Sequence, residues 1–141
     1  MAYVIYCEDK NPSQFSRIAA NVTERDQHLH GTMQHHEISE SDFNDLKNNI
    51  KFASGWDGTN ITYTNTEQIE NQEDLQSYLN NLIKSIEYLL KFNYDMPTNH
   101  WQTYLDYLKT VDVSTIPLPI ASWEKYCSDN SITYYSLLQK P

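Results

Sequence analysis

Four of the five histidines crowd into one short run, His28, His30, His35 and His36, with Glu37 directly after them. Imidazoles and a carboxylate are the ligands of a tetrahedral zinc site. On a strand His28 and His30 would point to the same face and could begin one. A third ligand has no motif behind it: HExxH is absent, and Cys7 and Cys127 lie at opposite ends of the chain with no CxxC arrangement. The run is therefore expected to be a solvated polar strand that holds no metal. Hydrolytic chemistry is no better supported, because Ser, His and Asp are plentiful but no GxSxG turn presents a nucleophile. Only 3 glycines leave no material for a GxGxxG or P-loop phosphate cradle. The acid pairs Glu8/Asp9 and Glu40/Asp42 read as turn and helix-start residues. No catalytic residue and no cofactor is expected, and the chain is not expected to be an enzyme.

The elements that would carry these residues follow from periodicity. Tyr3-Val-Ile-Tyr-Cys7 has the β-branched and aromatic content of a strand, and Asn11-Pro12-Ser13 marks a turn after it. Residues 15–21 read as a second strand antiparallel to the first, and residues 30–38 as a polar third. Ser39-Glu-Ser41-Asp-Phe-Asn opens a short helix: either serine can cap it, acids follow where the helix dipole favours them, and Phe43 and Leu46 share a face. Asp57-Gly58 between residues 51–56 and 60–64 predicts a hairpin, since Gly tolerates the positive φ of a tight turn.

The clearest periodicity runs from Gln72 to Phe92, where Leu75, Tyr78, Leu79, Leu82, Ile83, Ile86, Leu89 and Leu90 recur at three and four. Asn71 can cap that helix. A second helix, capped by Thr98 or Asn99, is expected to reach Val111 with Trp101, Tyr104, Leu105 and Leu108 on one face. The two should pack antiparallel against each other and against the sheet. Pro117 and Pro119 then stop regular structure, and Ser122 can cap one more short turn carrying Trp123 and Tyr126. The expectation is an α+β fold in one domain: antiparallel strands and hairpins over 1–65, helices over 71–111, and a proline-bounded aromatic tail over 112–141.

Composition narrows the function classes. The chain of 141 residues carries 19 acidic and 10 basic side chains, a formal charge of -9 with no basic stripe. A protein that tracks a phosphate backbone needs clustered Lys and Arg, so direct nucleic-acid binding is not expected. No apolar run approaches the length of a membrane span, and the N-terminus lacks the basic and apolar regions of a signal peptide. Both cysteines are expected to be reduced and packed.

What remains is the aromatic C-terminal third. Trp101 and Tyr104 read as core. Beyond Pro117, however, Ile120, Trp123, Tyr126, Tyr134, Tyr135, Leu137 and Leu138 carry more apolar area than a tail leaves in water. Trp123, Tyr126, Tyr134, Tyr135 and Leu138 are therefore the candidate partner-binding residues.

This block also carries a resemblance. Trp101, Tyr104 and Leu108 form a W-x-x-Y-x-x-x-L segment, followed by Asp112, Ser114, Pro117, the Trp123–Tyr126 turn and the closing Leu138 and Pro141. Over residues 101–141 the chain resembles small proteins encoded beside tail-fibre and other virion genes of tailed bacteriophages, especially T4-like phages of marine bacteria. In part it is also similar to phage tail-fibre assembly and tail assembly chaperone-like proteins, although the second Trp-Pro cluster common after that helix in the chaperone-like group is absent. The resemblance implies a non-enzymatic viral protein that acts through protein–protein contacts, as a structural virion component or an accessory of tail or tail-fibre assembly. Its partner would be a phage tail or tail-fibre protein, or further copies of itself in a homo-oligomer. It would sit in the host cytoplasm during assembly, or in the virion. The alternative is a phage-encoded inhibitor that binds a host protein, which small size and acidity suit equally.

Overall fold

The computed structural model describes residues 1–6, 15–29, 33–92 and 98–139. The fold is α+β, with antiparallel strands concentrated before residue 66 and the long helices after it. The chain divides into two compact units, Met1–Thr66 with Ser136–Pro141, and Glu67–Tyr135. The first boundary coincides with the end of the β-rich segment. The second falls inside the tail, so that residues 112–135 belong to one unit and residues from 136 onward to the other.

In the first unit, β1 (Ala2–Tyr6), β2 (Phe15–Ala19), α1 (Val22–His28), β3 (Gln34–Ile38), α2 (Glu40–Lys47), β4 (Lys51–Trp56) and β5 (Ile61–Asn65) follow in order. β1 is the middle strand of a three-stranded sheet and runs antiparallel to both β2 and β3. Val4 lies opposite Ile18 and His36, and Tyr3 lies opposite Ala19 and Glu37. Strand alternation then sorts the side chains. Ala2, Val4 and Ile18 join Phe43 and Leu46 of α2 and Ile61 of β5 in one core, while Tyr3 and Ala19 pack with Leu29 and Met33. The β4–β5 hairpin turns where Asp57-Gly58 predicts it. The Asp57 carboxylate accepts the amides of Thr59 and Asn60 at 2.8 and 2.7 Å, and Gly58 has φ +102°. Those two amide bonds hold the Asp57 carboxyl below its ordinary value. A bulge interrupts the register between Ala53 and Gly55. A Cβ at Gly55 would come 2.7 Å from Thr62 Oγ1, so any other residue there would have to displace the Thr62 side chain.

Two expectations for this unit change. β2 ends at Ala19 because Asn21 is a helix cap, with its Oδ1 accepting the Glu24 amide at 2.9 Å. Asn21-Val-Thr-Glu24 has the spacing of a capping box, a signal that outweighs the local β-branched content. The third strand begins at Gln34, with Met33 outside it, while residues 30–32 of the expected strand, like Cys7, lie outside the described residues.

In the second unit, α3 (Gln72–Phe92), α4 (Thr98–Leu108), a 3-10 turn at Val113–Thr115 and α5 (Trp123–Asp129) follow in order, and the three α-helices supply the core. Asn71 Oδ1 accepts the Asp74 amide at 2.8 Å and so caps α3. Leu75, Leu79, Leu82 and Ile86 are its buried residues, and α4 packs on it with Trp101, Tyr104, Leu105 and Leu108 buried. α4 stops at Leu108, short of Val111, where the Thr110 amide and hydroxyl both turn back to the Tyr107 carbonyl at 2.9 and 2.7 Å. An antiparallel bridge between Ile69 and Ile120 ties the approach to α3 to the proline segment. No helix among the described residues is long and apolar enough to cross a membrane.

Ser39 and Ser122 cap α2 and α5, accepting the amides of Asp42 and Lys125, each at 3.0 Å. Replacing Ser122 by Ala is expected to cost about 1 kcal/mol. The same change at Ser41, which makes no cap, should leave the unfolding free energy from urea titration within about 0.5 kcal/mol of the parent. Equal losses at both positions would show that the cap bond contributes nothing.

Candidate functional site

The tail residues separate by environment. Trp123, expected at a partner surface, is instead a core residue with 0% exposure. The cap at Ser122 sets the phase of α5, so Trp123 and Cys127, four apart, both turn inward. The indole Nε1 donates to the Tyr104 hydroxyl at 3.0 Å, so the one polar atom of the indole is buried with a partner. Leu138 is likewise drawn in. It packs against the Val4–Ile18–Leu46 core of the first unit, in a 3-10 turn at Leu137–Gln139. Tyr126, Tyr134 and Tyr135 stay half-buried.

Tyr135 is the centre of the aromatic packing. After α5 the chain reverses at Ser131, which has φ +57°, and the Ile132 amide bonds to the Cys127 carbonyl at 2.9 Å. Residues 132–135 lead Tyr135 onto α4. Its ring lies 5.4 Å from Trp101, 5.7 Å from Tyr104 and 6.0 Å from His100, the last contact stacked. Beside these rings a pocket of about 410 Å³ opens, lined by His100, Thr103, Tyr104, Tyr107, Ile132, Thr133 and Tyr135. Four of the lining residues stand at i, i+3, i+4 and i+7 on α4, one stripe round from the buried Trp101–Leu108 stripe. His100, Thr103 and Tyr107 escape a reading of the sequence for apolar periodicity, although that spacing is the signal that could have found them.

The interior next to the pocket is polar but closed. Glu124, 6% exposed, accepts a hydrogen bond from the Tyr78 hydroxyl of α3. Burial pushes the Cys127 thiol up to about 12, and the nearby Glu124 carboxylate adds to the effect, so the thiol stays protonated at neutral pH. Burial also raises Tyr104, Tyr107 and Tyr134, partly offset at Tyr104 by the Trp123 bond and at Tyr134 by a bond with Ser128. These phenols remain neutral donors and acceptors.

Among the described residues the histidines do not gather into one site. His28 ends α1 rather than lying on a strand. His35 and His36 are neighbours on β3 and face opposite sides of the sheet. His35 meets the Tyr3 ring edge-on at 5.3 Å, and His36 meets Trp56 edge-on at 5.2 Å. The sheet keeps these two imidazoles apart. Among the described residues no group of three or more His, Cys, Asp or Glu side chains could hold a metal ion.

No family model, curated protein or solved structure matches the chain.

Proposed function

We propose that the chain is a non-enzymatic bacteriophage protein that acts through protein contacts, as a virion component or an assembly accessory of the tail or tail fibres. The observation that carries the contact role is the aromatic surface left open on the second unit. Tyr88 and Phe92 are 64% and 56% exposed on α3, with their rings 4.7 Å apart, and Tyr107 is exposed on α4. Exposed aromatic residues in adjacent positions are the side chains that anchor protein interfaces. The half-buried Tyr126, Tyr134 and Tyr135 remain candidates for partner contact, whereas Trp123 and Leu138 are committed to packing. The phage assignment rests on the resemblance of residues 101–141.

Mass spectrometry of gradient-purified phage particles tests the reading. The chain is expected among the virion proteins, or in a complex with a tail or tail-fibre protein captured during assembly. Replacing Tyr88 and Phe92 together by Ser should abolish that capture and leave the fold intact. Early expression, absence from particles and capture of a host protein instead would favour an inhibitor and reject the assembly role.

A further inference from the structure

We infer that the pocket between α4 and residues 132–135 is a binding site for a small uncharged molecule carrying one or two aromatic rings, of the phenol or indole class. Its volume, about 410 Å³, lies in the range of small-molecule sites and suits a ligand of modest size. The walls supply the two things such a ring needs. His100, Tyr104, Tyr107 and Tyr135 offer ring surface for stacked or edge-on contact, and Ile132 adds aliphatic area. The hydroxyls of Thr133, Tyr107 and Tyr135 can orient a phenol O–H or an indole N–H, whereas the Tyr104 hydroxyl is held by the Trp123 indole and the Thr103 hydroxyl donates to the Asn99 carbonyl at 2.9 Å.

The same lining argues against other ligand classes. It contains no Lys, Arg, Asp or Glu, so an ammonium would enter without a countercharge and an anion would meet no permanent cation, His100 being the one base in the wall. A chain of net charge -9 also disfavours anions at long range. Desolvation raises the Tyr104 and Tyr107 phenols, so both stay protonated and add no charge. This inference does not depend on the phage assignment.

The test is an amide chemical-shift titration of the full chain with indole, p-cresol and benzoate as probes. Indole and p-cresol should give saturable shifts at residues 100–107 and 132–135, with dissociation constants on the order of 0.1–1 mM, as small rings reach in a preformed apolar pocket. Benzoate should give none. Thr103→Trp places a bulky side chain in the pocket from an exposed helix position, and it should weaken indole binding by tenfold or more. Tyr135→Ala should do the same by removing the central ring, and the Thr103 variant keeps the test decisive if the Tyr135 variant unfolds. The inference fails if neither neutral ring saturates, if benzoate binds as well as they do, or if Thr103→Trp leaves binding unchanged. Tighter binding of a capped Trp or Tyr peptide than of the free ring would also overturn it, in favour of a partner's side chain.

Discussion

Trp123→Ala is expected to lower the stability of the second unit by about 3–5 kcal/mol, the cost of removing a large aromatic side chain that cannot be replaced by collapse of its surroundings. The indole is fully buried, packs against Tyr126 with ring centroids 5.8 Å apart, and donates to the Tyr104 hydroxyl. A loss of that size is a large fraction of the 5–15 kcal/mol typical of a whole domain, so a chain carrying it should show a lowered or split urea transition. Tyr104→Phe isolates the polar part. It leaves the buried indole N–H without its acceptor and should cost about 1–3 kcal/mol. An unchanged transition for Trp123→Ala would mean that α5 does not pack as described and would restore Trp123 as a surface residue. Truncation after Thr115 follows the same logic. It removes Trp123 and Cys127 from one core and Leu138 from the other, so unfolding is expected rather than selective loss of binding.

Ile86→Ala should destabilise by about 2–5 kcal/mol, because this side chain is 0% exposed on the inner face of α3. Tyr88→Ala, two residues on and turned outward, should change stability by no more than about 0.5 kcal/mol. The contrast matters more than either value. It separates the face that holds the unit together from the face proposed to meet a partner, and thermal or urea melts of the two variants measure it directly. Equal losses would show that Tyr88 is packed, which would remove the strongest support for an aromatic contact surface. A small loss at both would show that α3 is not the centre of the core.

Much of the architecture is legible in the sequence because it is locally encoded. The α3 stripe recurs at three and four over 21 residues, and Asn71, Ser39 and Ser122 announce helix starts through a short polar side chain that reaches an amide three residues on. Asp57-Gly58 fixes its hairpin by the same local means, through two amide bonds to one carboxylate and a residue free to adopt positive φ. α1 was encoded just as locally, in the capping box at Asn21. It is hidden only because the residues before that cap look like a continuing strand.

The environment of the aromatic tail is not decided this way. The Ser122 cap fixes which residues of α5 share a face, but nothing within residues 120–138 decides which rings pack inward and which stay at a surface. That depends on where α4 stands, since Trp123 is buried by bonding to Tyr104, 19 residues earlier, and Tyr135 by lying on Trp101 and His100. The histidine run shows the same division. Sequence places His35 and His36 side by side, and only pairing within the sheet sends one to Tyr3 and the other to Trp56. The pocket is tertiary altogether, because its walls are a helix stripe of mixed polarity and a segment without regular structure. Local hydrogen bonds and periodicity determined which elements form. Which side chains are core, and where a cavity is left between them, was settled by contacts distant in sequence, whose energy no local pattern records.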